Sequence, residues 1–258
     1  MPMDFHDSCN KQSYTSRTAG KRWSELVIEY AELRGKQVLD LGCGGGIYSK
    51  ALAAVGAEHV TGMDFSREML EGAAWNCRDI DNISFVQGNA LDTRLGADTF
   101  DVLLERALIH HIAQLDLCFL EAWRVLKPGG RLIVQDRTPE DCALPGSVTH
   151  LRGYFFEKFP HLLEQENGRR HTSKQVNEAL SAAGFEAVAE LKFWETRAIY
   201  DDFAGLEADL LQRTGRSILH ELADGELAEL VSFMKERLGT VQPIEEKDRW
   251  TVWVAEKR

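Results

Sequence analysis

The sequence predicts an α/β fold, a doubly wound and mostly parallel sheet with helical segments added to it. Three observations carry this expectation. From residue 36 onward, short apolar runs alternate with helical patterns, the signature of parallel strands joined by crossover helices. The run Val38-Leu39-Asp40-Leu41 enters a glycine-rich turn, Gly42-Cys43-Gly44-Gly45-Gly46, and a helical pattern leaves it. An acidic residue, Asp64, then stands 22 positions after Gly42, at the end of the second strand candidate.

In chain order, strands are expected at 37–41, 59–63, 83–87, 100–104 and 131–135. The first crossover helix spans about 48–55, with Gly56 as its C-terminal stop. Ser66 caps the next, which runs to about Cys77. A helix over 115–126 is stopped by Lys127-Pro128-Gly129-Gly130. Residues 138–171 read as irregular, rich in aromatic and basic side chains. Thr172 or Ser173 caps a helix to Ala183, and late strands at 186–195 and 249–255 enclose helical patterns at 201–214 and 224–238.

The chain has 258 residues, with 30 basic against 41 acidic side chains and a net charge of −11. An apolar fraction of 44% supports a sizeable core. No apolar run approaches the ~20 residues of a membrane span, and Met1–Gly20 lacks the apolar stretch of a signal peptide, so a cytoplasmic protein is expected. Five scattered cysteines without a Cys-x-x-Cys pair argue against structural zinc and a disulfide framework. The acidic balance disfavours a nucleic-acid partner, whose phosphates attract clustered Lys and Arg.

The glycine turn permits tight, partly left-handed backbone and close approach of a ligand. An acid at the distance of Asp64 holds ribose hydroxyls in dinucleotide folds. The turn is a weak form of the dinucleotide pattern, because Ser49 stands where its last glycine belongs. Asp40, two residues before the first glycine, is a poor neighbour for a pyrophosphate and a good one for a cation. These electrostatics favour S-adenosylmethionine, which carries a sulfonium and an ammonium, over NAD.

At this point Val38–Gly46, Gly62-Met63-Asp64-Phe65-Ser66, Gln87-Gly88-Asn89-Ala90, Phe100–His111 and Val125–Leu132 resemble the successive motifs of class I S-adenosylmethionine-dependent methyltransferases. The likeness spans about residues 35–136, and Leu108-Ile109-His110-His111-Ile112 resembles the small-molecule branch. It implies a seven-stranded Rossmann-like sheet with helical lid insertions. The whole chain, 1–258, is then one domain. Its core is about 21–137, 172–199 and 247–258, and its lid segments are about 1–20, 138–171 and 200–246.

The resemblance also implies roles. Backbone of Gly42, Cys43 and Gly44 would line the methionine part, with Asp40 near its ammonium. Asp64 would take the ribose hydroxyls and Phe65 would flank the adenine. Asn89 stands where relatives have Asp, and with the Ala90 N–H would read the adenine edge. Glu105 and Arg106 end the fourth strand beside the methyl group, where relatives have smaller residues. Tyr14 and Arg17 resemble N-terminal lid residues that reach the cofactor carboxylate.

Methyl transfer to oxygen or nitrogen can require a base, and His110, His111 and Glu105 are the candidates. One of the two histidines is equally expected to pack or bond at a helix start. Adjacent histidines do not both face one small ion, so no metal site is expected. Cys43 lacks an activating partner and contributes backbone only. Arg152, Tyr154, Arg169, His171, Arg197 and Tyr200 form a candidate pocket for a small acceptor, anionic if these arginines face it; otherwise they pair with carboxylates. A nucleic-acid or protein methyltransferase and a non-catalytic cofactor-binding protein stay open as alternatives, and so does the oligomeric state.

Overall fold

The structure, a computed structural model, describes residues 19–258. Helix α1 (Lys21–Ala31) places Trp23, Leu26, Val27 and Ala31 on one buried face, the three-and-four spacing of an amphipathic helix. Four strands then alternate with helices: β1 (Gln37–Leu41), α2 (Ile47–Ala54), β2 (His59–Asp64), α3 (Arg67–Asn76), β3 (Ile83–Gln87) and β4 (Phe100–Arg106). Helix α4 (Leu115–Val125) leads directly into β5 (Leu126–Asp136). The Lys-Pro-Gly-Gly stretch lies just beyond the end of the helix and already forms the start of the strand, with a register irregularity between Phe100 and Val102 opposite it.

After β5 come α5 (Pro139–Cys142), α6 (Arg152–Lys158), α7 (Pro160–Gly168) and α8 (Ser173–Ala182). Strand β6 (Phe185–Tyr200), α9 (Phe203–Leu211), α10 (Asp224–Leu238) and β7 (Ile244–Lys257) complete the chain. Both late strands are longer than expected. Residues 138–171 are largely helical, where irregular structure was expected. Their helices bury Arg152 and Glu166, and charges at buried positions break the apolar periodicity by which a helix is read.

The seven strands form one sheet in the order β3-β2-β1-β4-β5-β7-β6. Strands β1, β2, β3, β4 and β5 pair in parallel, and β7 pairs antiparallel to β5. The central strands are buried on both faces, as parallel strands between helix layers must be. Along β4, Val102 and Leu104 join α1 and α2 in one core. Leu103 joins α4 and α8 in the other.

The chain divides into two compact units. One comprises the described residues up to Asp136, His171–Phe193 and Thr251–Arg258, and it holds the two cores just named. The other comprises Arg137–Arg170 and Trp194–Trp250. Its own core includes Tyr154, Phe155, Phe156, Leu206, Leu219, Leu230 and Met234, so the aromatic run of α6 is packing. Buried ion pairs tie it together. Glu166 receives Arg152 at 2.6 Å together with Arg169 and Arg170. Arg197 and Arg216 share Asp209 and Glu246 with the Tyr200 hydroxyl. Arg152, Arg170 and Arg169 hold the Glu166 carboxyl well below the usual range against the opposing effect of burial.

Candidate cofactor and acceptor site

The carboxyl ends of parallel strands are where such sheets bind ligands. Here β1 runs into its turn with Gly42, Gly44 and Gly46 all at positive φ, a region costly for other residues. The N–H groups of Gly42 and Cys43 donate to the Met63 carbonyl at 2.8 and 3.0 Å, tying the turn to β2. Asp64 then closes it. Its Oδ2 accepts from the Gly44 N–H and its Oδ1 from the Ser66 N–H, both at 2.9 Å. A carboxylate is an acceptor only, the chemistry that ribose hydroxyls require. Among the described residues, none lies within 4 Å of a Cβ built on Gly44. The Cys43 thiol lies in the opposite sense, packed under the turn beside Gly62, and burial pushes it well above the ordinary thiol range. Cys43 offers backbone only.

Asp40 is buried on the same turn and accepts from the Ser49 hydroxyl at 2.6 Å. Burial pushes its carboxyl up to about 6. The Asp64 charge adds to that, while the Ser49 bond and Arg106 oppose it. It is therefore mostly ionised at neutral pH and gains from a nearby cation. Arg106 stacks its guanidinium 3.9 Å over the Tyr48 ring, and Trp23 meets that ring edge-on at 4.8 Å. The Trp23 indole N–H donates to Gln135 Oε1 at 2.8 Å, fixing α1 to the end of β5.

The residues expected on the adenine side are Phe65, Asn89 and Ala90. Phe65 follows Asp64 and is 55% exposed. Asn89 is turned differently: its Oδ1 accepts from the Leu91 N–H at 2.9 Å, so one of its lone pairs is committed to its own turn. Ala90 beside it is buried. Tyr14 and Arg17 lie outside the described residues.

The three candidate bases separate. Glu105 does not join the site. It is fully buried between β4 and α4, with the Cys118 thiol 3.6 Å from Oε1 and, among the described residues, no hydrogen-bond partner for Oε2. It belongs to the face of β4 opposite Arg106, because side chains alternate along a strand. Burial raises its carboxyl to about 8, with the Asp136 charge adding, so it is neutral at pH 7. His110 sits in a one-turn 3₁₀ helix, Ile109–His111, and is held by Asp136 at the end of β5. Its Nδ1 lies 2.8 Å from Oδ2 and 3.1 Å from Oδ1, and its backbone N–H donates to Oδ2 at 3.2 Å. His111 is exposed, its ring centroid 3.9 Å from that of His110.

A family model described as a methyltransferase domain matches residues 32–192. The chain belongs to this methyltransferase family. It is 30% identical over 182 residues to the uncharacterized methyltransferase YcgJ of Bacillus subtilis, a match covering 69% of this chain and 68% of that one. It is 27% identical over 247 residues to phosphoethanolamine N-methyltransferase 1 of Zea mays, covering 93% of this chain and 45% of the maize protein. The chain thus spans under half the length of the maize relative. Among solved structures, phosphoethanolamine N-methyltransferase 2 of Haemonchus contortus, in complex with phosphomonomethylethanolamine and S-adenosylhomocysteine, shares the fold with a TM-score of 0.61. That match is 19% identical and covers 99% of this chain and 60% of the other.

The cofactor of this methyltransferase is S-adenosylmethionine, and the residues at its strand ends suit it. Two carboxylates, Asp40 and Asp64, face a turn whose glycine backbone leaves room beside them. That pair attracts an ammonium and a sulfonium and accepts from hydroxyls, whereas it repels a pyrophosphate.

Among the residues that arrange the site, Asp136 was missed from the sequence although a signal was present. Like Asp64 it is an acid one place beyond an expected strand. Ser49, Trp23 and Gln135 carried no comparable signal, because their bonds join segments distant in sequence. Of the six acceptor-pocket candidates, Arg152, Arg169 and Arg197 are bonded to carboxylates. Tyr200 is bonded to the same acids as Arg197, and Tyr154 is core. His171 Nε2 lies 3.1 Å from the Ile109 carbonyl and 2.9 Å from that of Ile112.

Proposed function

We propose that this methyltransferase passes a methyl group to an oxygen or nitrogen of a small-molecule acceptor, with His110 taking the acceptor's proton. The observation that carries the reading is the His110–Asp136 pair at the carboxyl end of β5. When bound, S-adenosylmethionine supplies an already activated methyl. What remains for the chain is alignment, worth up to ~7–11 kcal/mol in favourable cases, and proton removal, worth about 10²–10⁴ in rate. Asp136, buried, fixes the His110 ring through Nδ1, so Nε2 is the nitrogen that would take the proton. Asp64 holds the ribose hydroxyls and Asp40 the ammonium. Glu105 takes no part as a base.

The support for an anionic acceptor is the name of the maize relative, and not the arginines, which are engaged by carboxylates. Release of S-adenosylhomocysteine is therefore to be followed with a panel of phenols, amines and phosphoethanolamine. His110→Ala should lower kcat about 10²-fold on the acceptor found, with S-adenosylhomocysteine affinity unchanged. Full turnover by that variant would remove His110 from the chemistry. Cofactor binding without turnover on any acceptor class would favour a non-catalytic binding protein.

A further inference from the structure

We infer that His171 is a positioning residue for His110, acting through the backbone of the turn that carries it; this rests on the reading of His110 as the proton acceptor. The turn Ile109–His111 is short, and its own backbone bonds are His111 N–H to the Leu108 carbonyl at 2.9 Å and Ile112 N–H to the Ile109 carbonyl at 3.0 Å. Single turns of this kind are weak, because their hydrogen-bond geometry is poor. His171 reaches across some sixty residues of sequence and sets one ring nitrogen between the carbonyls of Ile109 and Ile112, which flank the histidine pair.

Both partners of Nε2 are carbonyl oxygens and can only accept. Nε2 therefore carries the hydrogen and shares it between them. The ring itself is anchored. His171 directly precedes Thr172, whose hydroxyl accepts from the Gln175 N–H at 3.2 Å while Gln175 Oε1 accepts from the Thr172 N–H at 2.9 Å. Helix α8, begun by that reciprocal cap, packs Val176 and Leu180 into the core shared with α4 and Ile109. The start of α8 is thus a fixed post. From it His171 holds both ends of the turn, while Asp136 holds the His110 N–H and Nδ1 in the middle. A residue that only filled space would not need an N–H at this place; a clamp would.

The test uses ¹⁵N-histidine-labelled full-length protein and reads the tautomer of His110, its signal identified by its loss in His110→Gln. Wild type should show His110 protonated on Nδ1, the nitrogen facing Asp136. Asp136→Asn should change that signal. His171→Leu should also lose the fixed tautomer, giving a mixture, while S-adenosylhomocysteine affinity stays within twofold. His171→Gln, which keeps an N–H at similar reach, should regain the wild-type signal. If His171→Leu no longer binds S-adenosylhomocysteine, His171→Asn, whose amide is too short to span the gap, takes its place. A wild-type His110 signal in the leucine variant, with Asp136→Asn still effective, overturns the clamp and leaves the proposed function standing. Equal loss in the leucine and glutamine variants overturns it as well, since the N–H then has no role. An unchanged signal in Asp136→Asn shows instead that the His110–Asp136 pair fails, and the clamp falls with it.

Discussion

Asp64 and Glu105 both end parallel strands, yet their surroundings give them opposite tasks. Asp64 accepts from two backbone N–H groups at the glycine turn. Asp64→Ala should weaken S-adenosylhomocysteine binding by roughly 1.5–3 kcal/mol, the worth of hydrogen bonds to a charged group, and Asp64→Asn by less, as calorimetry would read. Glu105 is sealed in the core, where burial lifts its carboxyl to about 8. Because its folded value lies above its unfolded one, it takes up a proton on folding. Its contribution to stability is full at acid pH and is lost as the pH rises toward 8. Glu105→Gln should flatten this slope. Between about pH 5 and 8 the variant should lose on the order of 4 kcal/mol less stability than wild type in denaturant titrations. Parallel pH profiles for the two proteins would mean that Glu105 ionises freely.

Strand and helix placement was legible wherever one periodicity ran undisturbed. The helix capped by Ser66 begins as expected, its hydroxyl accepting from the Met69 N–H at 3.2 Å. The helices of 138–171 were hidden because Arg152 and Glu166, polar by type, are buried by pairing with each other. The glycine motif was legible, but the separate duties of its glycines are visible only in three dimensions. A Cβ on Gly62 would lie 2.6 Å from the Phe85 ring, whereas one on Gly44 meets no atom of the described residues within 4 Å. Gly62→Ala should therefore destabilise the fold by about 1–3 kcal/mol through overpacking. Gly44→Ala should cost about 1–2 kcal/mol from its φ of +50° and weaken cofactor binding more than tenfold, because its methyl enters the ligand's space. Thermal unfolding together with calorimetry separates the two effects. A Gly44→Ala protein with wild-type affinity would move the cofactor away from the turn.

For the whole molecule, the order of motifs along residues 35–136 was enough to place the chain in its family, and the match to residues 32–192 agrees. The acceptor was not legible. The arginines that suggested an anion neutralise Glu166, Asp209 and Glu246 within their own unit, a balance no linear pattern reports. The central claim is that the carboxylates at the ends of β1 and β2 select a cofactor with an ammonium and no pyrophosphate over a dinucleotide. Titration calorimetry of the purified chain with S-adenosylhomocysteine and with NAD tests it most directly. S-adenosylhomocysteine should bind at one site per chain, and NAD should give no heat beyond dilution. Saturable binding of NAD with none of S-adenosylhomocysteine would contradict the account.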